Sequence, residues 1–90
     1  MSSKAEISWK TKSPEGVRRE VYVHFVGADP KFFVREKRFD EWEPLPKPLL
    51  EDWLELLDGV QRRVARRLLE PKDEEKIRRK IREAFPQAEV

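Results

Sequence analysis

Between Leu45 and about Leu69 the chain reads LPKPLLEDWLELLDGVQRRVARRLL, its one long stretch with an unbroken helical period. A run of this kind folds as a helix with a buried stripe, and the remaining residues have to supply what that stripe packs on. On a helical wheel Leu49, Leu50, Trp53, Leu57, Val60, Val64 and Leu68 fall in one sector. Leu45 and Leu56 widen it on one edge and Leu54 on the other. The apolar arc approaches half the circumference, wider than the ~100° a surface helix needs. Two neighbours are therefore expected, a sheet and a second helix. The start is expected at Pro46 or Pro48, since proline suits the first turn. Gly59 falls on the polar side, at a cost of about 1 kcal/mol relative to alanine.

The segment before this helix reads as strands. From Ala5 to Lys12, Ala5, Ile7, Trp9 and Thr11 alternate with Glu6, Ser8, Lys10 and Lys12, the pattern of a half-buried strand. Ser13-Pro14-Glu15-Gly16 suits a type I turn leading into a hairpin. Val17 to Val26 is the strongest strand, with Val17, Val21, Val23 and Phe25 on one face and Tyr22, His24 and Val26 on the other. Gly27-Ala28-Asp29-Pro30 is expected to turn the chain again. Phe32 to Phe39 reads as a third strand. Phe33 and Phe39 share one face with Arg35 and Lys37; Phe32 and Val34 share the other with Glu36 and Arg38. The pattern does not decide which face turns inward.

Asp40 to Lys47 reads as a stiff, extended linker because Pro44 and Pro46 alternate with other residues, and Pro48 continues the alternation. Trp42 and Leu45 are expected to pin it. After the long helix, Glu70-Pro71-Lys72-Asp73 is expected to break the chain and Asp73 to cap a short helix. Ile77, Ile81, Ala84 and Phe85 give that helix a narrow apolar stripe, ended by Pro86. The expected class is α+β, in β-β-β-α-α order. A three-stranded antiparallel meander precedes a long and a short helix, which form a single layer on one sheet face. The expected core is Ile7, Trp9, Val21, Val23, Phe25, Trp42, Leu49, Trp53, Leu57, Val60, Val64, Leu68, Ile77, Ile81 and Phe85.

Ninety residues suit one small domain over 1–90, with 1–4 and 87–90 frayed. Cysteine is absent, which excludes disulfides, thiolate metal sites and a thiol nucleophile. No secretory h-region or membrane-length apolar run is present, so a cytoplasmic protein without a membrane role is expected. Charged residues make up 42% of the chain but the net charge is only +2, so the charge is largely balanced. Its distribution is uneven. Met1 to Arg35 has seven basic and four acidic residues, Glu36 to Gly59 three and eight, and Val60 to Phe85 ten and five.

Candidate chemistry is sparse. His24 is the one histidine, and no nucleophile or orienting group is spaced to make it a general base. Asp40, Glu41 and Glu43 lack the register of a calcium loop. Catalysis, cofactors and metals are therefore not expected. Arg62, Arg63, Arg66 and Arg67 form the best-defined polar feature. Cations at a helix C-terminus suit its dipole, as Glu51, Asp52 and Glu55 suit its start. Only Arg62 has an acid four residues earlier, at Asp58. On the short helix, Glu74–Arg78, Glu75–Arg79 and Arg79–Glu83 have pairing distance, leaving Lys80 and Arg82. If these clusters merge, they form a phosphate-binding patch. A second route uses the outer sheet face, where Arg18, Tyr22 and His24 suit stacking of unpaired bases. The acidic and basic blocks also suit a protein partner or self-association. The expected role is non-catalytic binding, to protein first and to RNA or DNA as the alternative.

Overall fold

The computed structural model describes residues 6–26, 29–37 and 40–90. Its element order is β1 (Glu6–Lys12), β2 (Arg18–Val26), β3 (Asp29–Arg35), β4 (Glu43–Pro44), α1 (Leu50–Ala65) and α2 (Pro71–Ala84). The α+β class stands, but the sheet has four antiparallel strands in the order β1-β2-β3-β4 instead of three. The chain divides into two compact units. Met1–Pro48 carries the sheet and Leu49–Val90 the helical pair.

The first turn forms as its residues demand. Gly16 N–H donates to Ser13 O at 2.8 Å, and Ser13 Oγ accepts from Val17 N–H at 3.2 Å. Gly16 has φ +86°, a left-handed conformation that glycine adopts without steric cost. β2 then pairs with the whole of β3, from Val26↔Asp29 to Glu20↔Arg35. Asp29 and Pro30 are thus strand residues and not turn residues, and β3 starts three residues earlier than expected. Gly27 and Ala28 of the expected turn, Arg38 and Phe39 of the expected third strand, and Ala5 of the first lie outside the described residues.

Register settles the inward face. Val21 lies between Trp9 and Val34, and Val23 between Ile7 and Phe32. Ile7, Val21, Val23 and Phe32 are buried, and Trp9 meets Phe32 edge-on at 6.3 Å. The opposite face carries Ser8, Lys10, Lys12, Arg18, Glu20, Tyr22, His24, Phe33 and Arg35, since strand neighbours alternate sides.

The linker is partly a strand. Phe33 pairs with Pro44 and Val34 with Glu43, and Leu45 N–H donates to Phe32 O at 2.9 Å. Proline is tolerated there because β4 lies at the edge of the sheet.

α1 starts at Leu50 and ends at Ala65, shorter at both ends than its apolar pattern suggested. Leu49 is extended (φ −71°, ψ 159°), and its N–H donates to Asp52 Oδ2 at 3.2 Å. At the other end Pro71 disfavours helical geometry at Glu70, so the chain leaves the helix first. It does so through Arg67, which adopts φ +61°. Arg67 N–H donates to Val64 O at 3.0 Å and Leu68 N–H to Arg63 O at 2.8 Å, the two bonds of a Schellman ending. Arg66, Arg67 and Leu68 therefore lie beyond the helix, so the wheel positions of Arg67 and Leu68 do not apply.

α2 begins at Pro71, not after Asp73. Asp73 still caps it, from inside the first turn: Oδ2 accepts from Glu70 N–H at 2.8 Å. The two helices bury Leu56, Leu57, Val60, Ile77 and Ile81. Leu49 and Leu68, expected in the core, are 37% and 46% exposed, because both lie outside the helix whose stripe they appeared to continue. Leu56 is fully buried, while Trp9, Phe25, Trp42, Trp53, Val64 and Phe85 are only half-buried.

Candidate binding surfaces

The arginines at the end of α1 do not act as one group. Arg62 Nη2 lies 3.1 Å from Asp58 Oδ2, one turn back on the exposed side, as expected. Arg63 Nη1 donates to Gly59 O at 3.1 Å, so its guanidinium is turned back along its own helix. Arg66 and Arg67 are exposed on the turn, with no side-chain ion pair among the described residues.

The basic residues of α2 are more committed than their spacing suggested. Arg78 forms the expected pair with Glu74, Nη2 to Oε2 at 2.8 Å. Glu75 reaches Arg82 at 3.1 Å in place of Arg79, and Arg82 Nη1 also donates to Val90 O at 2.9 Å. Arg82 is therefore not left over, and Lys80 is half-buried with a partner of its own. Nor do Arg66 and Arg67 adjoin Lys80 and Arg82. Lys80 and Arg82 lie roughly 13–17 Å along α2 from Pro71, at ~1.5 Å per residue. Arg66 and Arg67 sit just before its start.

Glu74 joins the helices. Its Oε2 accepts from Arg78 and also from Gln61 Nε2 of α1 at 3.1 Å. The hydrogen bond from Arg78, followed by that from Gln61, holds its carboxyl below the usual carboxylate range.

The outer sheet face holds more than the sequence disclosed. Tyr22 and Phe33 stack with ring centroids 5.2 Å apart, and Trp42 tilts against Tyr22 at 4.9 Å. The Arg35 guanidinium lies 4.3 Å from the Trp42 ring centroid, and its Nε donates to Glu20 Oε1 at 2.7 Å. All three rings are half-buried. The sequence pattern points to Tyr22, with Arg18 and His24, and not to Phe33, Arg35 or Trp42 as members of this face. Trp42 lies in a proline-rich segment whose side-chain direction no strand period reveals. His24 is half-buried, opposite Glu6 and Lys31 in register.

Toward the hairpin end the same face becomes cationic. Lys12 is directly opposite Arg18, and Lys10 opposite Glu20. An open cleft of about 410 Å³ at this end of the sheet is lined by Lys10, Lys12, Arg18 and Glu20 together with Thr11, Arg19 and Glu36, so it draws on residues from both sides of the strands.

Among the described residues no group of three or more His, Asp or Glu side chains converges as a metal site would require, and no helix is long and apolar enough to cross a membrane. No family model, no characterised protein and no solved structure matches the chain.

Proposed function

We propose that this protein is a non-catalytic binding module whose partner is a protein, in the first instance a second copy of itself. The observation behind this reading is apolar surface left open at the start of α1. Leu49 is 37% and Leu54 40% exposed, beside the half-buried Leu50 and Trp53. Exposed leucines grouped within two turns differ from leucines scattered singly. Acids surround them, with Glu51, Glu55 and Asp58 all exposed. The far end of the same helix carries Arg66, Arg67 and the exposed Leu68. Two copies of α1 running antiparallel would bring acidic start against basic end twice over, an arrangement that closes on itself.

Light scattering across a concentration series tests this reading. The expected result is a mass rising toward twice that of the monomer, with Leu54→Glu remaining monomeric. Monomer mass throughout, or dimers that Leu54→Glu leaves intact, would overturn it. The alternative, nucleic-acid binding through Arg62, Arg63, Arg66, Arg67, Lys80 and Arg82, is left with little beyond Arg66 and Arg67, since Arg62, Arg63 and Arg82 bond within the chain.

A further inference from the structure

We propose a separate site on the outer face of the sheet, which binds single-stranded nucleic acid along β2. Lys10, Lys12 and Arg18 hold the phosphates, and the Tyr22–Trp42 wall receives a base.

The first observation is a charge arrangement that does not favour the fold. Like charges directly opposite each other on adjacent strands repel, and Lys12 faces Arg18 in just this way. Lys10 shares their face. All three are exposed, and no side chain of the three has a hydrogen-bond or ionic partner among the described residues. Glu20 lies opposite Lys10, but its carboxylate is engaged by Arg35 at 2.7 Å, which leaves Glu36 as the other acid lining the cleft. Cations therefore outnumber acids at this end of the sheet, and an anionic ligand relieves the repulsion between Lys12 and Arg18.

The second observation gives the class of anion. Residues on one face of a strand recur every ~7 Å, so Arg18, Glu20, Tyr22 and His24 form a row in which cation gives way to aromatic ring over roughly 14 Å. At the aromatic end Tyr22, Phe33 and Trp42 group on the same face, half-exposed. Phosphates beside half-exposed rings describe a single strand, whose unpaired bases offer π faces. A duplex keeps those faces stacked inside, and a polyphosphate has none.

The test is fluorescence anisotropy with a labelled oligo-U or oligo-T of about twelve nucleotides, a length within the range of known single-strand sites. Binding is expected to weaken with salt. Three phosphate contacts on a single strand give a log–log slope near −2, so a fourfold rise in salt costs on the order of twentyfold in affinity. Lys12→Glu is the decisive variant. It turns a repulsive cross-strand pair into an attractive one, so its unfolding midpoint should hold or rise while affinity falls about tenfold, the loss of one to two phosphate contacts. Arg66→Glu with Arg67→Glu should leave affinity unchanged, which separates this site from the turn after α1. Four results would each overturn the proposal: no binding at low salt, equal affinity for duplex, equally strong competition by polyphosphate, or a Lys12→Glu variant that binds like wild type.

Discussion

Arg67 shows how one residue can sit badly and still be informative. The Schellman ending of α1 places it at φ +61°, where an L side chain costs ~1–2 kcal/mol and glycine is the usual occupant. Glycine regains that strain but adds freedom to the unfolded chain, so Arg67→Gly should stabilise by about 0.5–1 kcal/mol net. Circular dichroism at 222 nm would show a midpoint a few degrees higher; an unchanged or lower midpoint would contradict the strain assignment. Core residues are ranked by the same kind of local argument. Leu56 is fully buried, so Leu56→Ala should cost ~2–5 kcal/mol. Leu49 is 37% exposed, so Leu49→Ala should cost less than about 1 kcal/mol, although the two leucines look alike in sequence. Comparable losses at both sites in denaturant melts would refute the ranking.

At the scale of elements, Glu74 is a polar group that ties α1 to α2. Its carboxylate takes hydrogen bonds from Arg78 on its own helix and Gln61 on the other. Its folded pKa is lowered, so its contribution is present above the unfolded value near 4.5 and disappears as pH falls through the lower folded value. Glu74→Gln should therefore be less stable than wild type at neutral pH, and the gap should close as pH falls below that range. A gap that stays constant with pH would refute the linkage. Element type was legible from sequence wherever one period governed a segment. The alternation of β2 gave Val21 and Val23, the 3.6-residue period gave Leu57 and Val60, and Ser13 to Gly16 gave the hairpin. Element ends were not, because they depend on bonds between particular neighbours. Asp52 and Asp73 cap from the third helical position, and Pro71 opens α2 where a break was expected. β4 was hidden for a similar reason: two residues with a proline show no period, and only pairing with Phe33 and Val34 makes them a strand. The basic candidates of α1 and α2 do not act as one group. Spacing shows which acid lies within reach, not which one a guanidinium chooses, as Arg63 and Arg82 illustrate.

For the whole molecule, composition and structure point toward resistance to heat. The chain has seven prolines against three glycines, no asparagine, no cysteine and one methionine. Proline narrows the unfolded ensemble wherever the native φ suits it, and Pro71 occupies the first turn of α2, where its missing N–H costs nothing. Both helices have a carboxylate bonded to the N-cap N–H. Exposed ion pairs such as Arg62–Asp58 and Lys72–Glu70 add little at room temperature. The cost of desolvating charge falls on heating, so with 42% of residues charged such pairs gain relative weight when hot. The repulsive Lys12–Arg18 pair works against this trend, which suits a site kept for a ligand and not for stability. The expected unfolding midpoint lies above the ~45–65 °C range of ordinary domains. An anionic oligonucleotide should raise it further, since whatever binds only the folded state stabilises it. A calorimetric scan with and without the oligonucleotide separates the two claims. A midpoint inside the ordinary range defeats the first, and a midpoint that does not move at saturating oligonucleotide defeats the second.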